Sequence, residues 1–344
     1  MAKTYNIAVV GAGSLVGEAI LDLLGKRKFP YAKAYALEYE TDGEQDVDFG
    51  NSGLDVEELK GFDFSKVELV FFATSEVLAL QYVPLAVAAG CVVIDDSPAF
   101  RYEVDVPLVV PEVNPQAIAG YTQRRIIANP GSGVTQLLIA LKPLHDAAGV
   151  TRLNVATYQA VSGLGREGVD ELARQTAQLL NARPVESVVY PKQIAFNLLP
   201  QIGEFLDNGY TQEEMKMVWE VRKILDTPDM PINPTTVRVP VFFGHSEVVN
   251  VELSQPLTRT QVTAMLRQSG AITVMDGVAF GDVPTPVTDA VYSDSIYVGR
   301  IRADISHPTA LNFWVVADNV RRSAALNAVQ IAEILILNYW QEAG

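Results

Sequence analysis

A chain of 344 residues with 49% hydrophobic and 19% charged side chains is too long for one ordinary core and too apolar to stay disordered, which predicts two folded domains. Its net charge of −15 excludes nucleic acid and anionic membrane as expected partners, since no basic run interleaved with aromatics offers either a footing. No apolar stretch is long enough to span a bilayer, and MAKTYNIAVVG enters a strand-like run with no secretion signal.

Cys91 is the one cysteine, so no internal disulfide forms, which fits a cytoplasmic, reducing location. His145, His245 and His307 are widely spaced with no cysteine beside them, and no metal site is expected.

Residues 6–130 alternate short apolar runs with helical patterns. NIAVV (6–10), a glycine turn and GEAILDLLGKR (17–27) read as strand, turn and helix. AKAYALEY (32–39) and VELVFFAT (67–74) are further strands, followed by the helical VLALQYVPLAVAAG (77–90). CVVID (91–95), VPLVV (106–110) and RRIIAN (124–129) complete the set. Strands alternating with helices of this length predict βαβ units and a parallel sheet.

Past residue 150 the strands lengthen and alternate by two: RLNVATYQAV, TVRVPVFFGHSEVVNVEL, SIYVGRIRADI and LNFWVVAD. Polar helices, GREGVDELARQTAQLLNA and TQEEMKMVWEVRKIL, lie between them. This texture predicts an α+β domain with a mostly antiparallel sheet. The closing NVRRSAALNAVQIAEILILNYW (319–340) predicts one long helix able to fold back on the first domain. The expected division is therefore 1–130 plus 319–344 for the first domain and 131–318 for the second.

VVGAGSLVG places Gly11, Gly13 and Gly17 between the first strand and helix, where backbone N–H groups can approach a pyrophosphate. Strict Rossmann spacing would put the third glycine at Val16, and a tight turn packed for its own sake is the plainer alternative. Between Ala34 and Leu59 there are nine acidic residues and no lysine or arginine. Glu38, Glu40 and Asp42 suit a ribose hydroxyl better than a 2′-phosphate, so charge favours NAD over NADP.

Several later blocks carry a resemblance: VVIDDSPAFR (92–101), DVPLVVPEVN (105–114), IIANP and ALKPLHD about residue 132, and TYQAVSGLG (157–165). DNGYTQEEMKMVWEVRKIL (207–225), RVPVFFGHSE (238–247) and VADNVRRSAALNAVQIAE (316–333) extend it over most of the chain. In these motifs the chain resembles the aspartate-semialdehyde dehydrogenase family. The resemblance implies an α/β chain: a Rossmann-type dinucleotide-binding domain plus an α+β domain, mostly antiparallel, used for dimerisation. It also implies the family reaction, an NADPH-dependent reductive dephosphorylation of β-aspartyl phosphate to aspartate semialdehyde in amino-acid biosynthesis. There a cysteine attacks the acyl carbon, phosphate leaves, and hydride reduces the thioester.

Carried over residue by residue, Arg101 and Lys223 resemble the phosphate-binding cations. Arg238 resembles the arginine that grips the substrate carboxylate, a task suited to a planar fork. Glu220 resembles the receiver of the substrate ammonium, Gln159 the group that orients the acyl carbon, and His245 the general acid/base. Gly11, Gly13, Ser14, Leu15, Val16, Gly17, Ser162, Gly163 and Asn319 match the coenzyme side.

The departures are clustered. The family turn Asn-Pro-Asn-Cys-Ser-Thr is here Asn129-Pro130-Gly131-Ser132-Gly133-Val134, so Ser132 stands at the catalytic cysteine's position. Its Ser-Ala-Gly-Gly coenzyme stretch is Ala73-Thr74-Ser75-Glu76, and Glu40 falls near the 2′-phosphate arginine. A serine hydroxyl is not ionised without an adjacent base, and an oxygen ester accepts hydride less readily than a thioester. The resemblance is closest to Usg-type homologues that lack the cysteine. It predicts impaired turnover, a small anionic amino-acid-like or phosphate-bearing ligand, and a homodimer or a heterodimer with an active family member. The alternative is an active NAD-dependent dehydrogenase or acyl-transfer enzyme using Ser132 and His245. An esterase is disfavoured because PGSGV does not fit the G-x-S-x-G elbow.

Overall fold

The structure, a computed structural model, describes residues 3–41, 45–50 and 52–340. The carboxylate expected at Asp42 and the last four residues of the expected first domain, 341–344, lie outside the described residues. The chain divides into one unit of Met1–Gly131 with Ala324–Gly344 and another of Ser132–Ser323. The second crossing falls after Ser323, where the sequence placed it before Asn319.

The first unit contains β1 (Tyr5–Val10), α1 (Leu15–Lys26), β2 (Tyr31–Glu38), β3 (Asp46–Phe49), β4 (Ser52–Glu58) and β5 (Leu69–Phe72). It continues with α2 (Glu76–Ala88), β6 (Val92–Asp95) and β7 (Ile126–Ala128). The sheet order is β3-β4-β2-β1-β5-β6-β7. All its pairings are parallel except β3 with β4. β5 and β6 are buried along their whole lengths, which is why LVFF and VVID carry no polar alternation until Asp95. Successive strands lie on opposite sides of β1, so a topological switch point opens beside the glycine turn.

Two expectations fail in this unit. VPLVV is no strand: Leu108 makes one isolated bridge to Ala128, and the adjoining Pro107 has no N–H to extend a ladder. The acid-rich tract after β2, read only for its charge, instead supplies β3 and β4. Val47, Leu54 and Val56 alternate with its acids and pack against the core.

The second unit holds α3 (Ser132–Ala148), β8 (Val150–Gln159), α4 (Gly165–Leu180), α5 (Gln212–Leu225), β9 (Ile232–Arg238) and β10 (His245–Leu253). Then come α6 (Arg259–Gln268), β11 (Ile272–Val274), β12 (Ile296–Ala303) and β13 (Ala310–Ala317). Its sheet order is β11-β12-β13-β10-β8-β9, antiparallel at its three central pairings. A capping box starts α5, with the Thr211 side chain on the Glu214 N–H and the Glu214 carboxylate on the Thr211 N–H.

TVRVPVFFGHSEVVNVEL is two strands, β9 and β10, which are not neighbours because β8 runs between them. Pro240 and the positive φ of Gly244 break the run. The last predicted helix is also divided. A wide π-type turn, Arg321–Leu326, precedes α7 (Asn327–Asn338), whose Val329, Ile331 and Leu335 join the core of the first unit.

Candidate functional site

In the second unit, strand register brings three predicted residues to one end of the sheet. Gln159 at the end of β8 pairs with Arg238 at the end of β9, and His245 begins β10 where Ser246 pairs with Tyr158. The peptide of Ala160 joins them. Its N–H donates to His245 Nδ1 at 3.2 Å, and its carbonyl accepts from Arg238 Nη1 at 2.6 Å. A ring that accepts at Nδ1 is neutral and carries its proton on Nε2. Burial and the neighbouring Arg238 charge both hold the His245 pKa well below its ordinary value.

Arg238 is itself buried, which lowers its pKa, while Tyr190 and Glu213 favour its charge. Tyr190 and Glu213 are two site residues the sequence reading missed. Tyr190 is fixed by Glu171, whose buried carboxylate accepts from the N–H groups of Val188, Val189 and Tyr190. Glu213 accepts from Gln159 Nε2 at 3.2 Å. Glu213, Met217 and Glu220 recur at helical spacing on α5, and that stripe was the legible signal. Glu220 is buried and Lys223 half-buried one turn further.

Ser132 opens α3 and is half-buried. Behind it a Cβ on Gly133 would meet Glu247 Oε1 and Met217 Cε at 3.4 Å and Gln159 Nε2 at 4.0 Å. The helix start is therefore packed against Gln159 and α5. Glu247, opposite Thr157, lies two residues behind His245 on the same face and is fully buried. Burial drives its pKa well above the carboxylate range. Gln136 is the polar group that favours its charge, without completing a hydrogen bond of good geometry. Two-residue alternation from His245 was the signal for Glu247.

Ser162, Gly163 and Asn319 also gather. Asn319 Nδ2 donates to Ser162 Oγ at 3.0 Å, and its Oδ1 accepts from Gly244 N at 2.9 Å. Gly163 is exposed above Arg238 and His245.

In the first unit, Gly11 takes φ +76°, and the carbonyl of Ala73 fills the place of its missing Cβ. Gly17 packs against the Gly11 carbonyl, so the third glycine's task is done one residue beyond Val16. Ser14 caps α1 by accepting from Gly17 N at 3.0 Å, and Leu15 and Val16 follow, half-buried. Glu38, at the end of β2, accepts from Gly13 N at 2.5 Å. Glu40 and Glu76 are exposed, and Glu76 sits in the first turn of α2, where the helix dipole favours an acid. Arg101 is buried, with Nη2 donating to the Asp96 carbonyl at 2.7 Å.

Cys91 is no reserve nucleophile. Burial raises its thiol to about 11, and its sulfur lies 3.2 Å from the carbonyls of Phe64 and Val67. Among the described residues no group of three His, Cys, Asp or Glu could hold a metal, and no helix is long and apolar enough to cross a membrane.

A doubly wound unit with a glycine turn at its switch point, joined to an α+β unit bearing Arg, Gln and His at its strand ends, is the architecture of a two-domain dehydrogenase. Residues 6–121 match the family model "Semialdehyde dehydrogenase, NAD binding domain", and residues 141–322 match "Semialdehyde dehydrogenase, dimerisation domain". The aspartate-semialdehyde dehydrogenase of Legionella pneumophila is 51% identical, over 97% of this chain and 96% of that protein. The solved aspartate semialdehyde dehydrogenase II of Vibrio cholerae complexed with ASA is 49% identical. It aligns with a TM-score of 0.96 over 98% of this chain and 100% of that one. A probable aspartate-semialdehyde dehydrogenase from Pseudomonas aeruginosa is 40% identical with a TM-score of 0.93, over 98% of this chain and 100% of that one. The chain belongs to the aspartate-semialdehyde dehydrogenase family.

Proposed function

We propose that this chain keeps the family's pocket for a small amino-acid-like, phosphate-bearing anion but has lost the thiol route through it. In the second unit Arg238 takes the ligand carboxylate, Glu220 its ammonium and Lys223 its phosphate, while Gln159 orients the carbonyl carbon; in the first unit Arg101 is read as a phosphate-binding cation. The observation that carries the reading is the bond from the Ala160 N–H to His245 Nδ1. It leaves Nε2 protonated, so His245 can donate to a ligand oxygen but cannot serve as the resting base that Ser132 requires. With no thiolate and no base, attack from residue 132 falls by several orders of magnitude. This weighs against the alternative in which Ser132 and His245 run an acyl transfer.

The glycine turn has the backbone for a dinucleotide, which when bound would supply or accept the hydride. Glu38 on the Gly13 N–H suits a ribose diol and opposes a 2′-phosphate, so NAD fits this chain better than NADP. The dimerisation domain supports pairing with a second copy. The open sheet face carries a candidate surface, the ladder Asn233–Asn154–Asn250–Asn312 beside Trp314.

Thermal shift tests the reading. Aspartate with phosphate should raise the melting temperature, NAD should raise it slightly and NADP not at all. Strong stabilisation by NADP, or none by aspartate and phosphate, contradicts it.

A further inference from the structure

The sheet edge opposite the glycine turn carries a cavity to which the reading above assigns no task. β1, β5, β6 and β7 run parallel, so their amino ends lie together, roughly 20 Å along β1 from Gly11. The cavity there has a volume of about 360 Å³, the size of a small-molecule site.

Its walls are aromatic. Tyr5, the first residue of β1, lines it while only 2% exposed, and its ring centre lies 5.0 Å from that of Trp340, just past α7. Tyr121 completes the walls, packed edge-on against Tyr339 at 6.4 Å. Tyr5 Oη is buried and has no hydrogen-bond partner among the described residues.

Charges of both signs stand at the strand ends around these rings. Glu68 precedes β5, and its Oε2 accepts from the Asn6 N–H at 2.7 Å. Arg125 precedes β7 at φ +55°, a left-handed conformation that a non-glycine residue keeps only where its surroundings hold it. Its N–H donates to the Tyr121 carbonyl at 2.6 Å, and its Nη1 to the Gly90 carbonyl at 2.8 Å. Lys3 Nζ lies 5.3 Å from the Tyr5 ring centre. Glu68 Oε1 and the other side-chain N–H groups of Arg125 make no hydrogen bond among the described residues.

We propose that this cavity binds an aromatic α-amino acid, at a site separate from the glycine turn and from the pocket of the second unit. The ligand ring packs among Tyr5, Tyr121 and Trp340, Arg125 with Lys3 takes its carboxylate, and Glu68 takes its ammonium. The Tyr5 O–H, with no acceptor of its own, is a further donor. An aliphatic amino acid would leave the three rings without an aromatic partner. An aromatic acid without the amine would set its carboxylate against an uncompensated Glu68, and an aromatic amine would leave both cations unmatched.

Titration calorimetry on the full-length protein tests this with L-phenylalanine, 3-phenylpropionate and L-leucine. L-Phenylalanine should bind saturably and raise the melting temperature, and the other two should bind about tenfold more weakly or not at all. Arg125→Asn keeps the left-handed turn, which asparagine tolerates, and should weaken L-phenylalanine by about tenfold to a hundredfold. Glu68→Gln can still accept from Asn6, and should weaken L-phenylalanine by about tenfold while tightening 3-phenylpropionate. Trp340→Leu should weaken both aromatic ligands alike. Melting of each unliganded variant shows that it is folded. Saturating aspartate with phosphate should leave L-phenylalanine binding unchanged. No binding of L-phenylalanine, binding unaffected by Arg125→Asn, or competition by aspartate with phosphate overturns this inference and leaves the proposed function standing. Equal loss of L-phenylalanine and 3-phenylpropionate in Glu68→Gln overturns it as well.

Discussion

Arg238 and Gly163 occupy one space: a Cβ added at residue 163 would stand 2.6 Å from Arg238 Nη1, the same nitrogen that holds the Ala160 carbonyl. Gly163 is exposed, so a methyl group there disturbs the guanidinium and little else. Gly163→Ala should weaken aspartate binding by one to two orders of magnitude, the scale of one charged hydrogen bond at about 1.5–3 kcal/mol. The melting temperature should stay nearly constant. Calorimetric titration beside a thermal melt checks both halves.

His245 should make the protein acid-sensitive. Its folded-state pKa is depressed below the ordinary 6.5, so below that value the unfolded chain binds a proton the folded one refuses. Stability contributed by the neutral ring is present above the ordinary value and is lost as pH falls through the window beneath it. His245→Gln should flatten that part of the stability profile in urea unfolding at stepped pH.

Glu247 has the opposite sign. Its raised folded-state pKa keeps it protonated where the unfolded chain has released the proton, so stability falls as pH rises above the ordinary carboxylate value of 4.5. Glu247→Gln keeps the shape and neutrality of the acid and removes this loss. It should raise the melting temperature at neutral and alkaline pH, with no gain in mild acid. A set of melts across pH decides it.

Much of the fold was legible because its cues were local. Short, largely apolar runs marked β5 and β6, and glycines with Ser14 marked the turn into α1. The failures came where context overrides pattern. VPLVV has strand composition, but its proline leaves it one bridge at Leu108. The tract after β2 was read only for what its acids imply about the coenzyme, yet its alternate apolar residues make β3 and β4. Gln159, Arg238 and His245 could be named from motifs. Their meeting at one sheet end needed the crossing that places β8 between β9 and β10, which no local signal gives. Glu213, Tyr190 and Glu247 were missed because each acts through a partner distant in sequence.

The measurement that bears most directly on the account is phosphate-dependent oxidation of aspartate semialdehyde, followed with NAD and with NADP, for wild type and Ser132→Ala side by side. The account predicts turnover several orders of magnitude below that of a cysteine enzyme, and the same residual rate in the variant. Brisk turnover that Ser132→Ala abolishes would contradict it.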